Sequence, residues 1–203
     1  MKKKKYCKAG AAVLLLCLLV VMTSCTSTKT AYERTPSGMV QVKKIPKLYA
    51  FSTTANGNYY VKADAMFGKL FTYLKDNDLK MTVPVEGRQK PATMMFFVTD
   101  PEVAKDLRDC GNVKVKTIPA RMVVSAGLNG RYTKANFEEG KEMIEKWLKE
   151  NPNYQQDGEF FSVYWNSPYV PWFMRKQEVN MPVKSLFMES TDKPRKVDNK
   201  FGI

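Results

Sequence analysis

Residues 64–98, DAMFGKLFTYLKDNDLKMTVPVEGRQKPATMMFFV, hold the pattern that decides the fold. Phe67, Leu70, Phe71 and Leu74 fall on one side of a helix, which predicts an amphipathic helix with that stripe inward. Asp64 reads as its N-cap and Asn77-Asp78 as its end. The residues before it, up to Tyr59–Val61, read as extended, with aromatic and β-branched side chains. After Asp78 the period changes to two. Leu79–Val85 and Thr93–Val98 read as strands, joined by a loop containing Gly87. Met81, Val83 and Val85 alternate, so one face of the first strand belongs to the core. Pro84 inside that strand marks an edge or a bulge, because it has no N–H for the ladder.

The same order recurs further on. Val113–Ile118 and Met122–Ala126 read as strands, with turns at Pro119 and at Asn129-Gly130. Thr133 is placed to cap a second helix, and Glu138 and Glu139 lie in its early turns, where the helix dipole favours negative charge. Phe137, Gly140, Ile144, Trp147 and Leu148 line its inner face, and Asn151-Pro152 stops it. Phe160–Trp165 and Glu178–Val183 follow as strands. Strand, helix, strand, strand, twice over, predicts an α+β fold: two βαββ units pack their antiparallel sheets edge to edge, with the helices on one side.

Outside this repeat the chain is of another kind. Lys2 to Lys5 and Lys8 precede an uncharged apolar run, Ala9–Met22, which is shorter than the about 20 residues a spanning helix needs. Thr23-Ser24-Cys25 follows at once. This arrangement predicts a signal peptide over 1–24. It resembles the lipoprotein cleavage box, although Met22 stands where Leu is usual, and that resemblance implies a lipid anchor on Cys25. Residues 25–44 read as a flexible tether, 45–190 as the folded domain and 191–203 as a polar tail. The expected location is the bacterial envelope, with the outer membrane favoured where one exists.

Removing 1–24 takes five of the 33 basic residues and none of the 20 acidic ones, so the net charge falls from +13 to +8. Such a charge suits an acidic ligand or anionic lipid. No nucleic-acid-binding motif is present, and no nucleic-acid partner is expected. The chain has no histidine, which excludes Ser-His-Asp and Cys-His catalysis. Cys7 and Cys17 leave with the signal and Cys25 carries lipid, so Cys110 is left as a lone thiol, read as a buried one, and no internal disulfide forms. No metal site is expected.

Several stretches, in order, resemble the SOUL family of haem-binding proteins: Phe67-Gly68-Lys69-Leu70 with Tyr73-Leu74, Lys80-Met81-Thr82-Val83-Pro84-Val85, Thr93–Val98, Tyr164-Trp165-Asn166-Ser167-Pro168-Tyr169, and Arg175-Lys176-Gln177-Glu178-Val179. Val83 stands where the family often has Ala, and Gln177 where it has Asn. The resemblance implies a distorted β-barrel of two βαββ units and a tetrapyrrole ligand, haem or a porphyrin. It also implies a groove between the first helix and the loop before the last strand. On that reading Met66 and Tyr73 form one wall with Lys69 at its rim, and the loop residues Tyr169 and Trp172 the other, with Arg175 and Lys176 beside it for carboxylates. The candidates for an axial iron ligand are Met66, Tyr73, Tyr169 and Cys110. No catalytic residue is assigned and the protein is read as a binding protein, not an enzyme. Two other readings stay open. In one, Glu178 sits in a central pocket with Tyr164 and serves a small hydrolase or a cationic-drug-binding domain. In the other, the Trp172 loop binds a macromolecular partner.

Overall fold

A computed structural model describes residues 29–186. The expected signal peptide, Cys25 and the expected polar tail lie outside the described residues. Among the described residues, eleven strands and three α-helices follow one another. They are β1 (Lys29–Thr30), β2 (Val40–Ile45), β3 (Leu48–Ala55), α1 (Tyr59–Asp76), β4 (Thr82–Val83), β5 (Val85–Gln89), β6 (Ala92–Val98), α2 (Pro101–Asp106), β7 (Val113–Ile118), β8 (Arg121–Asn129), α3 (Lys134–Glu150), β9 (Tyr154–Gln156), β10 (Phe161–Tyr164) and β11 (Lys176–Ser185).

The expected duplication is present. In the first unit β3 pairs with β6 and β6 with β5; in the second, β8 pairs with β11 and β11 with β10. The units join edge to edge where β10 meets β5, with Val163 opposite Glu86. Strand β2 extends the far edge of the second unit and β7 that of the first, so each unit is finished by a strand from the other half of the chain. The main sheet runs β2-β8-β11-β10-β5-β6-β3-β7 and does not close, leaving a distorted, open barrel.

Helix α1 begins earlier than its apolar stripe suggested. Asn58, not Asp64, is the N-cap, and its side chain accepts from the Tyr60 N–H at 2.9 Å. Tyr59–Val61 are therefore helical rather than extended: a cap that satisfies a free helix N–H outweighs their strand propensity. The buried face is Tyr59, Met66, Leu70, Tyr73 and Leu74, while Phe67 and Phe71 are only half-buried. The stripe is thus rotated from the one expected. Thr133 does cap α3, accepting from the Asn136 N–H, and Phe137, Gly140 and Ile144 are buried with Trp147 and Leu148 at the margin. Gly140 lets this helix sit close, since a Cβ there would lie 2.5 Å from Val179 Cγ2. Pro84 breaks the predicted long strand into β4 and β5, as a residue without an N–H should. Cys110 is exposed, contrary to the buried thiol expected, because it sits in a tight turn paired with Val113.

Residues 25–44 are not all tether. Strand β2 pairs with β8 along its length, and Thr35 is buried. Ser/Thr-rich composition does not reveal this, since the pairing is with a strand some eighty residues away.

Candidate functional site

Alternation along the strands gives the sheet two unlike faces. The helices cover one. On β11 that face presents Val179, Met181 and Val183, which pack with Ile144 and Phe137 of α3. The other face is concave, carries no helix among the described residues, and presents Glu178 and Asn180 from β11, Val163 from β10, Glu86 from β5, and Arg121 and Ser125 from β8. Phe97, Phe161 and Trp165 line it as well.

Two carboxylates are fully buried here, Glu86 and Glu178, one on each side of Val163. Buried charge is costly unless paired. Glu178 accepts from Lys43 Nζ at 2.7 Å, from the Thr35 backbone N–H and from Asn180 Nδ2 at 3.3 Å. Glu86 accepts from Arg121 Nη2 and from Arg88 Nε at 3.0 Å. Burial lowers the Lys43 ammonium below its ordinary value, and the neighbouring Glu178 charge works against that shift. Residues 29–39 then close the face. β1 pairs with β4, Tyr32 packs edge-on to Trp165 with centroids 5.6 Å apart, and Thr35 Oγ1 donates to Ser125 Oγ at 2.8 Å. Gly127 allows this: a Cβ there would lie 2.2 Å from the Pro36 carbonyl oxygen. Burial, with Glu86 and Glu178 adding to it, raises the Tyr32 hydroxyl well above its usual range.

This arrangement changes the Glu178 pocket. Glu178 pairs in register with Val163, and Tyr164 with Gln177, so Glu178 and Tyr164 project from opposite faces of the sheet. They do not share a pocket. Tyr164 instead stacks on Tyr59 under α1, with centroids 6.3 Å apart, and burial raises its hydroxyl. Lys43, the Thr35 N–H and Asn180 already occupy the Glu178 oxygens.

The predicted groove is also divided. Met66 and Tyr73 are buried in the seat of α1, and the Tyr73 hydroxyl donates to the Arg108 carbonyl at 2.8 Å. Neither is free to form a groove wall, because the inward helix face is set by the full pattern of contacts with β3 and β6 rather than by the most apolar stripe. Lys69 is exposed. Tyr169 and Trp172 stand outward on their loop. Arg175 holds that loop by donating from Nε to the Val170 carbonyl at 2.7 Å and from Nη2 to the Pro168 carbonyl, and Lys176 Nζ donates to Asn129 Oδ1 at 2.7 Å.

An open space lies elsewhere, where the β5–β6 hairpin meets the first turns of α1 and α3. This cleft measures about 800 Å³, within the range of small-molecule sites. Tyr59, Tyr60, Met95, Phe137 and Phe160 supply apolar wall. Arg88, Lys90, Lys116, Lys134 and Lys141 bring five cations, against two carboxylates, Glu138 and Glu159. Burial lowers Lys116 below its ordinary value, and the charge of Arg88 pushes the same way. The Glu86 carboxylate, already bonded to Arg88, works against that shift. The Gln89 carboxamide Nε2 donates to Ser162 Oγ at 2.9 Å, and its oxygen is buried with no partner among the described residues. Sequence reading missed this site. Its residues come from five separate segments, and only their basic excess was visible.

The fold defines a class: an α+β domain made of two βαββ units. The chain belongs to the SOUL heme-binding protein family, whose model matches residues 27–182. No curated protein matches it. Among solved structures it is similar to EcmrR in a DNA complex, with TM-score 0.59 and 15% identity over 72% of this chain. It spans 57% of that EcmrR chain. It is similar to the EcmrR C-terminal domain alone, with TM-score 0.53 and 16% identity over 72% of this chain and 98% of that one. A conserved protein of Listeria innocua gives TM-score 0.52 and 14% identity over 73% of this chain and 94% of that one. At such identities the likeness is one of fold.

The residues of the cleft fit part of what a tetrapyrrole asks. Aromatic and Met side chains suit the faces of a flat macrocycle, and the cations suit its carboxylates. With no histidine in the chain, there is no imidazole for iron.

Proposed function

We propose that this protein binds haem or a related porphyrin in the cleft between the β5–β6 hairpin and the starts of α1 and α3, and that lipid on Cys25 holds it on the bacterial envelope. The observation that carries the ligand reading is the cleft itself: aromatic wall with an excess of cations, in a chain of the SOUL heme-binding family. Tyr60, Phe137 and Phe160 would contact the macrocycle, and Arg88 and Lys116 its carboxylates. Iron, when present, adds coordination chemistry that the face and carboxylate contacts do not require.

Haemin and iron-free protoporphyrin should therefore bind within about tenfold of each other, a difference of roughly 1.4 kcal/mol. Lys116→Ala and Phe160→Ala should each weaken both, while Trp172→Ala, on a loop that does not line the cleft, should weaken neither. Titration followed by visible absorbance and fluorescence quenching measures this. Binding lost in Trp172→Ala and unchanged in Lys116→Ala would move the site to the loop. Failure of both ligands at micromolar concentration would remove the tetrapyrrole reading.

The short apolar run ending in Thr23-Ser24-Cys25 supports the anchor. Labelled palmitate should enter the wild type and not Cys25→Ala; label retained by the variant would refute it.

The second reading, Glu178 as hydrolase or cation site, keeps one observation in its favour: two carboxylates buried on one concave face. It requires residues 29–39 and Lys43 to give way.

A further inference from the structure

Four large apolar side chains stand in solvent on one loop: Tyr169, Trp172, Phe173 and Met174 are 93%, 50%, 63% and 56% exposed. Exposed apolar residues scattered singly need no explanation, but a cluster marks a contact surface. The loop is also held in shape. Val170 N–H donates to the Ser167 carbonyl at 3.0 Å, Met174 N–H to the Pro171 carbonyl at 2.9 Å, and Arg175 spans the loop from beneath through the Val170 and Pro168 carbonyls. Tyr132 anchors its start, donating to the Asn166 carbonyl at 3.0 Å. Burial pushes the Tyr132 hydroxyl up to about 12, so it keeps its proton at neutral pH. The backbone is satisfied from inside, and the apolar side chains are turned out.

The surroundings select the partner. Arg131 lies over the Trp172 ring, 5.0 Å from its centroid, and Arg175 and Lys176 follow directly. The two segments that build this end, 129–137 and 164–177, contain no Asp or Glu. Trp, Tyr and Phe favour the headgroup level of a bilayer, and Arg and Lys beside them favour anionic lipid. A stable protein partner would cover about 20–30 residues a side; this patch is a single projecting loop. The loop lines neither the cleft at the β5–β6 hairpin nor the smaller cavity beside α2.

We propose that the loop 166–174 is a membrane-docking surface, which places Trp172 and Phe173 among the headgroups of an anionic bilayer with Arg131 and Lys176 facing the lipid phosphates, while Arg175 holds the loop from beneath. It is a site apart from the cleft, and it does not depend on the tetrapyrrole reading.

The test uses the full chain and phosphatidylglycerol vesicles containing brominated lipid, which quenches tryptophan in direct contact. Wild-type emission should be quenched. The quenched component should vanish in Trp172→Ser/Phe173→Ser, which should keep its thermal midpoint because both side chains are exposed. Phosphatidylcholine vesicles, or high salt, should reduce the quenching severalfold. Arg131→Ala should reduce it too. Trp172→Phe keeps an aromatic group and separates contact from folding: quenching should disappear while the fraction of protein on the vesicles is retained. Quenching equal in wild type and the double variant, or none in wild type on anionic vesicles, would overturn the proposal, as would a loop that stays unquenched and instead pairs two copies of the chain in solution.

Discussion

On β11, Val179, Met181 and Val183 face α3, while Glu178 and Asn180 face residues 29–39. These are alternate residues of one strand. The helix side is closed by apolar contact, which is non-directional and tolerates a rotated helix face. The concave side is closed by two buried carboxylates, Lys43, Arg121 and an N-terminal segment whose backbone N–H must meet Glu178. That closure is directional, and it is undone by removing one partner. A stability map of the two faces should therefore differ in kind.

The largest effect expected is on pH, and it touches both faces. Burial raises the hydroxyls of Tyr32 on the concave side and of Tyr59 and Tyr164 on the helix side, and that of Tyr132 to about 12. Above pH about 10 the unfolded chain gives up these protons and the folded chain keeps them, so stability, complete below that pH, falls as pH rises. Each such tyrosine adds a slope of about 1.4 kcal/mol per pH unit. Tyrosinate absorbance should rise together with loss of near-ultraviolet circular dichroism; these tyrosines titrating before the fold is lost would contradict their burial.

Next come the charges of the concave side. Glu178→Gln leaves Lys43 without its carboxylate and should cost about 3–5 kcal/mol in denaturant titration. Adding Lys43→Met should return much of that loss. A double variant no more stable than the single one would show that the pair is not what holds this side.

On the helix side, Ile144→Ala should cost about 2–5 kcal/mol from lost burial and the cavity left behind. No second charge change should rescue it. If it costs well under about 1 kcal/mol, α3 does not seat as described.

The smallest effect sharpens the comparison most. Gly127→Ala puts a Cβ against the Pro36 carbonyl and should cost about 1–3 kcal/mol by moving residues 29–39 off Glu178. Protease cleavage near Thr35 should quicken while the far side of the sheet stays protected from hydrogen exchange. Equal cleavage in both proteins would mean that this segment is not held through Gly127.

Much of the fold was legible in the sequence. Periodicity separated the bodies of α1 and α3 from the strands, the change of period after Asp78 located the first βαββ unit, and Thr133 marked the start of α3, because these signals are local. The beginning of α1 was misread because Asn58 lies ahead of the apolar stripe. The candidate site was far less legible. Trp172 and Tyr169 were noticed as aromatics in a loop, but whether a loop aromatic plugs a core or faces water depends on what packs behind it, and here Arg175 and Tyr132 do.

From the sequence by itself came the absence of histidine chemistry, the positive charge, the repeated βαββ order and the motifs of the family. Each depends on residue type or on neighbours within one helix or strand. Only the tertiary structure decided that Glu178 and Tyr164 lie on opposite faces, that Lys43 and Thr35 from the presumed tether satisfy Glu178, and that the basic cleft gathers Arg88, Lys116 and Phe160. The physical reason is register. A shift of one residue in strand pairing exchanges every inward side chain for an outward one, and that pairing is set by contacts across the whole sheet.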